Sequence, residues 1–96
     1  MTRDNMDETE LEMLNELKKI PDLSEVYHKT TFKCYRNAKK GGMQEVLVEV
    51  LDGGPENQTT RYSVIATTPD GKRASGNSSS SIAAAIAMVH WWNLDK

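Results

Sequence analysis

The sequence holds a single cysteine, Cys34, and two histidines, His28 and His90. One cysteine cannot close an intrachain disulfide, so no staple supports the core and no oxidising compartment is implied. Three such scattered side chains lack the spacing of a metal site, and neither a metal nor any other cofactor is expected. A long apolar run is missing as well. The longest stretch free of charge, Ala74 to Leu94, opens with serine and glycine and is mostly alanine in its middle. That is too weakly apolar for a membrane span. The N-terminal MTRDNMDETELEM has no basic segment leading into an apolar one, so no secretory leader is expected. A cytoplasmic protein without a membrane partner is the resulting expectation. Hydrophobic residues make up 38% of the 96, enough for one domain with a core near the lower limit of independent stability. A core that small favours support from a second copy or a partner.

What is present is an uneven distribution of charge. Residues 1–25 carry eight acids against three bases, whereas residues 26–96 carry nine bases against six acids. The net charge of −2 thus divides into an acidic head and a mildly basic body.

Residues 1–6 read as a flexible N-terminus and residues 7–96 as one domain. DETELEMLNELKKI, residues 7–20, predicts a helix: Asp7 caps with Glu10 three residues on, acids fill the first turn, lysines the last, and Pro21 follows. Met13, Leu14, Leu17 and Ile20 fall on one side of it, with Met6 in line at its entry. VYHKTTFKCYRNAKK, residues 26–40, can be drawn as a helix ending at Gly41-Gly42 or as a strand. TTFKCY is rich in β-formers, so the strand is the better reading, with Phe32 and Cys34 on one face. QEVLVEVLD, residues 44–52, alternates Val46, Val48 and Val50 with Glu45, Leu47, Glu49 and Leu51. TRYSVIATT, residues 60–68, sets Tyr62, Val64 and Ala66 against Arg61, Ser63, Ile65 and Thr67. Pro69-Asp70-Gly71 predicts a hairpin turn into a short last strand over 72–75. Serines 78–81 offer caps for a final helix that runs through IAAAIAMVHWW to Leu94. These elements make an α+β fold, a two-layer sandwich of an N-terminal helix, a three- to four-stranded antiparallel meander and a C-terminal helix. The second sheet face is open to water or to a partner.

On the last helix, Ile82, Ala85, Ile86, Val89 and, at the margin, Trp92 share the arc that faces the sheet. Ala84, Ala87, Met88 and Trp91 form a second apolar arc without an obvious intramolecular client, unless Trp91 folds back on the first helix and completes the core. That arc is the first candidate surface, for a protein partner or for self-association, since Trp and Met are favoured at interfaces. The acidic first helix is a further surface, suited to a basic partner. The alternative is a nucleic-acid surface in which Lys39, Lys40, Arg61, Lys72 and Arg73 meet phosphates, with Ser79 and Ser80 at the helix start.

Chemistry beyond binding finds little support. Cys34 and His28 could make a thiol nucleophile, but Cys34 alternates with Phe32 on the inward face and reads as a small buried apolar group. His90 reads as a hydrogen-bonded structural residue. Glu45 and Glu49 share a face with Leu47 and Leu51, so they read as a solvated strand face. GNSSSS before a helix lacks the lysine and spacing of a phosphate-binding loop. The expectation is a binding module that is not an enzyme and has no small-molecule substrate.

LNEL at 14–17 looks like the start of the first helix of the double-stranded-RNA-binding domain. GNSSSSIAAAIA at 76–87 is similar to the junction between that domain's last strand and last helix. In order of elements the chain resembles this αβββα family over residues 10–94. The resemblance implies an RNA-binding sandwich. Where the family carries two phosphate-bridging lysines this chain has Ser79 and Ser80, and its first helix presents acids where the family meets the RNA minor groove. The closing segment also resembles small antitoxins of toxin–antitoxin pairs.

Overall fold

The computed structural model describes residues 6–96 as α1 (Glu8–Lys18), β1 (His28–Asn37), β2 (Met43–Asp52), β3 (Tyr62–Thr67), β4 (Arg73–Ser75) and α2 (Ile82–Ala87), followed by a 3₁₀ turn over Trp91–Asp95. The architecture is α+β. The expected flexible stretch falls outside the described residues for 1–5, whereas Met6 is buried.

The capping box forms as its spacing requires. The Glu10 N–H donates to Asp7 at 2.8 Å and the Asp7 N–H donates to Glu10 at 3.1 Å, which satisfies two of the free donors of the first turn. The helix buries a narrower stripe than its apolar residues suggested. Leu14 is buried and Leu11 half-buried, but Met13, Leu17 and Ile20 are exposed. The reason is where α1 docks. It is held at the end of the sheet where β1 begins, by Glu10 against His28 Nε2 at 2.6 Å and by Lys18 donating to the Gly53 carbonyl. Leu14 lies against Gly54, whose positive φ of 97° and missing Cβ leave room for it. A helix seated on a loop buries one line of side chains, not a broad face.

The four strands form an antiparallel meander in the order β1-β2-β3-β4. The alternation carries over into register. Thr30, Val50 and Val64 lie in one row, as do Phe32, Val48, Ala66 and Ala74 in the next. Opposed residues of antiparallel strands share a face, so the core valines and β1's Phe32 and Cys34 look the same way. On the reverse face Lys29 pairs with Glu49 at 3.0 Å and Lys33 with Glu45 at 3.6 Å. Tyr35, Met43 and Leu47 stand exposed among these ion pairs.

α2 begins at its Ser81 cap, where the side chain accepts from the Ala84 N–H at 3.3 Å. It then stops at Ala87, well before the expected Leu94. The His90 N–H donates to the Ser75 carbonyl at 3.1 Å, and the Met88 carbonyl occupies the space that a Cβ on residue 76 would fill. Close approach to β4, open to the chain because residue 76 is glycine, draws the backbone out of the helix. The turn that follows sets the two tryptophans apart, with Trp92 leaving the sheet side on which the helical arc had placed it at the margin. Trp91 packs against the core, and Leu94 is fully buried. Trp92 is 61% exposed and stacks on His90 with ring centroids 4.7 Å apart.

The core joins Val46, Val48, Val50, Val64 and Ala66 of the sheet to Ala85, Val89 and Leu94. Because α2 covers β3 and the 3₁₀ turn covers β4, the inward face of β1 is left bare. Cys34 is therefore exposed, and Phe32 is 52% exposed although its partner Val48 belongs to the core. The Cα radius of gyration is 15.0 Å, against roughly 12 Å for a compact domain of this length.

The chain end is clasped to the first hairpin. Arg36 donates to both oxygens of Asp95 at 2.9 and 3.0 Å, the Lys39 N–H donates to Asp95 at 3.0 Å, and Gln44 donates to the Leu94 carbonyl at 3.0 Å. The Arg36 guanidinium and the Lys39 N–H hold the Asp95 carboxyl down at about 2. A carboxyl depressed by folding adds stability that is present above its unfolded value and is lost as pH falls through its folded one. Thermal midpoints of the wild type are thus expected to drop relative to Asp95→Asn between about pH 4 and pH 2. Parallel acid profiles of the two proteins would count against the clasp.

Candidate interaction surface

The side of the sheet that α2 leaves uncovered places exposed apolar groups, Phe32 and Ile86, next to an unpaired strand. β1 is an outer strand of ten residues. Every side chain from Thr31 to Tyr35 is exposed. On its inward face, Thr30, Phe32, Val50, Ile82 and Ile86 line a shallow trough of about 260 Å³. His28 continues this face toward α1, where Met13, Leu14, Leu17 and Tyr27 line a second hollow with it. His28 Nδ1 is buried with no hydrogen-bond partner among the described residues.

The outer edge of β1 follows from the hairpin that ends it. The Ala38 N–H donates to the Gly42 carbonyl at 3.0 Å. With the observed register, this sets the even-numbered residues of β1 to bond β2. Lys29, Thr31, Lys33 and Tyr35 therefore turn their N–H and C=O groups outward, where no backbone partner meets them among the described residues. The edge has no proline and no bulge, two devices that ordinarily blunt a strand edge. It does carry bases, but Lys29, Lys33 and Arg36 are each paired with an acid of the chain itself.

The residues expected to form an interface on the last helix are divided by the early end of α2. Ala87 and Met88 are exposed, Ala84 is half-buried, and Trp91 is half-buried against the core. The basic candidates fall at two ends of the sheet. Lys39 and Lys40 lie in the β1–β2 turn, and Lys72 and Arg73 at the β3–β4 turn on the same end. Arg61 is at the opposite end and donates to Asp52 at 2.8 and 3.1 Å. Ser79 is at that far end too, bridged to Tyr62 by two backbone bonds of 2.9 Å, and Ser80 follows it exposed. Lys72 is 3.8 Å from Asp70.

Phe32, Ile82 and Ile86 were not among the residues expected to form a surface. The signal for Phe32 was its alternation with the core valines, which marks a face but not whether a helix reaches it.

No group of three or more metal-ligating side chains occurs among the described residues, and no helix there is long and apolar enough to cross a membrane. Comparison with protein-family models, with curated proteins and with solved structures found no match.

Proposed function

We propose that this chain is a small non-enzymatic binding module that acts by protein–protein association, through the side of the sheet that α2 leaves bare. The observation that carries this reading is Phe32. It stands in register with core valines, yet half its surface meets water, beside Ile82 and Ile86. Large aromatic groups in such settings are frequent anchors of interfaces. The association expected from the composition is thus retained, while the surface moves from the outer arc of α2 to β1. A substitution at Trp91 would not test this surface, because its contacts with the core confound binding with folding.

Sedimentation equilibrium of the full chain tests the reading. The mass is expected to rise above the 10.8 kDa of one chain between micromolar and millimolar concentration. Phe32→Asp is expected to weaken association by at least about 30-fold, with near-UV circular dichroism unchanged. A single-chain mass throughout that range would remove the support for self-association.

A further inference from the structure

The kind of partner is written in the edge of β1, and this step rests on the association reading above. We infer that the partner is a second copy of this chain, joined edge to edge through β1 in antiparallel register about Phe32, so that two four-stranded sheets become one. The outward N–H and C=O groups of Lys29, Thr31, Lys33 and Tyr35 repeat at the spacing that another strand satisfies and that side chains or a helix do not. The edge matches itself in charge. Each of its bases is already neutralised by Glu49, Glu45 or Asp95 within its own chain, so two copies meet without facing unpaired cations.

Charge also disfavours the two adjacent registers. Pairing about Phe32 sets Thr31 opposite the second copy's Lys33, and Lys29 opposite the second copy's Tyr35. These are the residues with outward backbone groups, and together they form on the order of eight new hydrogen bonds. Pairing about Thr31 would instead oppose Lys29 to a lysine, and pairing about Lys33 would oppose that lysine to itself. Like charges directly opposed destabilise a strand pair. In the favoured register the two Phe32 side chains meet at a position without backbone bonds, where opposed side chains approach most closely. Both lie on the face of α2, and each fills the trough beside the other's Ile82 and Ile86.

Two variants of the full chain test this arrangement. Thr31→Pro deletes an outward N–H without breaking a bond to β2, a position where an edge strand tolerates proline. It is expected to weaken dimerisation at least tenfold and to keep the near-UV spectrum of the wild type. Thr30→Cys, with Cys34 retained, places a thiol opposite the second copy's Cys34 at about 4.5 Å between Cα atoms, within disulfide range. Mild oxidation is expected to give a covalent dimer from this variant. The wild type should give none, since its two Cys34 residues are offset by about 13 Å along the strand. A dimer that survives Thr31→Pro and yields no Thr30→Cys cross-link would overturn edge pairing and leave association through another face. A wild-type cross-link through Cys34 would overturn the register about Phe32. A monomer at every concentration would remove the inference and the association reading together. Should Thr31→Pro fail to fold, the cross-link decides alone.

Discussion

Asp52→Ala is expected to cost about 3–5 kcal/mol, the range for removing one partner of a buried ion pair. Asp52 is 2% exposed. Its carboxylate accepts from Arg61 Nε at 2.8 Å, from Arg61 Nη2 at 3.1 Å and from the Gly54 N–H at 2.8 Å. Alanine leaves the Gly54 donor without its acceptor and the guanidinium, whose side chain is largely buried, without its counter-charge. The loss is a large share of the roughly 5–14 kcal/mol available to a domain of this length. It should appear as a lower urea midpoint with an unchanged slope. The double variant Asp52→Leu/Arg61→Met, which removes both charges, is expected to recover most of the loss, because the penalty lies in the uncompensated charge and not in the absence of the pair. A loss under about 1 kcal/mol in Asp52→Ala, the scale of an exposed pair, would show that water reaches the site.

Leu94→Ala is expected to cost about 2–5 kcal/mol, although only Asp95 and Lys96 follow Leu94 in the sequence. Its side chain is fully buried, and the Gln44 amide holds its carbonyl at 3.0 Å. Removing it opens a cavity beneath the closing turn, against the core that Val46 and Val64 begin. Trp92→Ala, two residues away and twice as drastic in volume, is expected to change stability by no more than about 0.5 kcal/mol, as surface substitutions do. Urea titration of both variants separates the two cases. A larger loss from Trp92→Ala than from Leu94→Ala would mean that the chain end folds back as a continued helix.

The basis of that contrast separates what was legible in the sequence from what was not. Local rules determined the elements. The spacing of Asp7 and Glu10 determined where α1 begins, and the β-branched TTFKCY held β1 in a strand although a helix could be drawn through it. Valines alternating over 46–50 determined which face of β2 turns inward. That Arg61, which alternation sets on the other face from Tyr62 and Val64, pairs with Asp52 instead of meeting phosphates was decided by the tertiary structure.

The tertiary structure decided coverage. Whether Phe32 and Cys34 are buried depends on how far α2 reaches across the sheet, and periodicity within β1 contains no information about that reach. The length of α2 was in turn decided by a close approach, of the Met88 backbone to Gly76, between residues with no local pattern in common. Which tryptophan packs against the core followed from the break. A helix continued through residue 92 would turn Trp92 toward the sheet, whereas the 3₁₀ turn brings Trp91 and Leu94 there instead. The stripe that α1 buries was likewise set by its seat on Gly53 and Gly54, so Met13 and Leu17 stay in water. The sequence by itself determined which residues are helical or extended and which way the inner strands face, because those depend on neighbours in the chain. Which apolar groups are covered depended on contacts between distant segments, and these came from the tertiary structure alone.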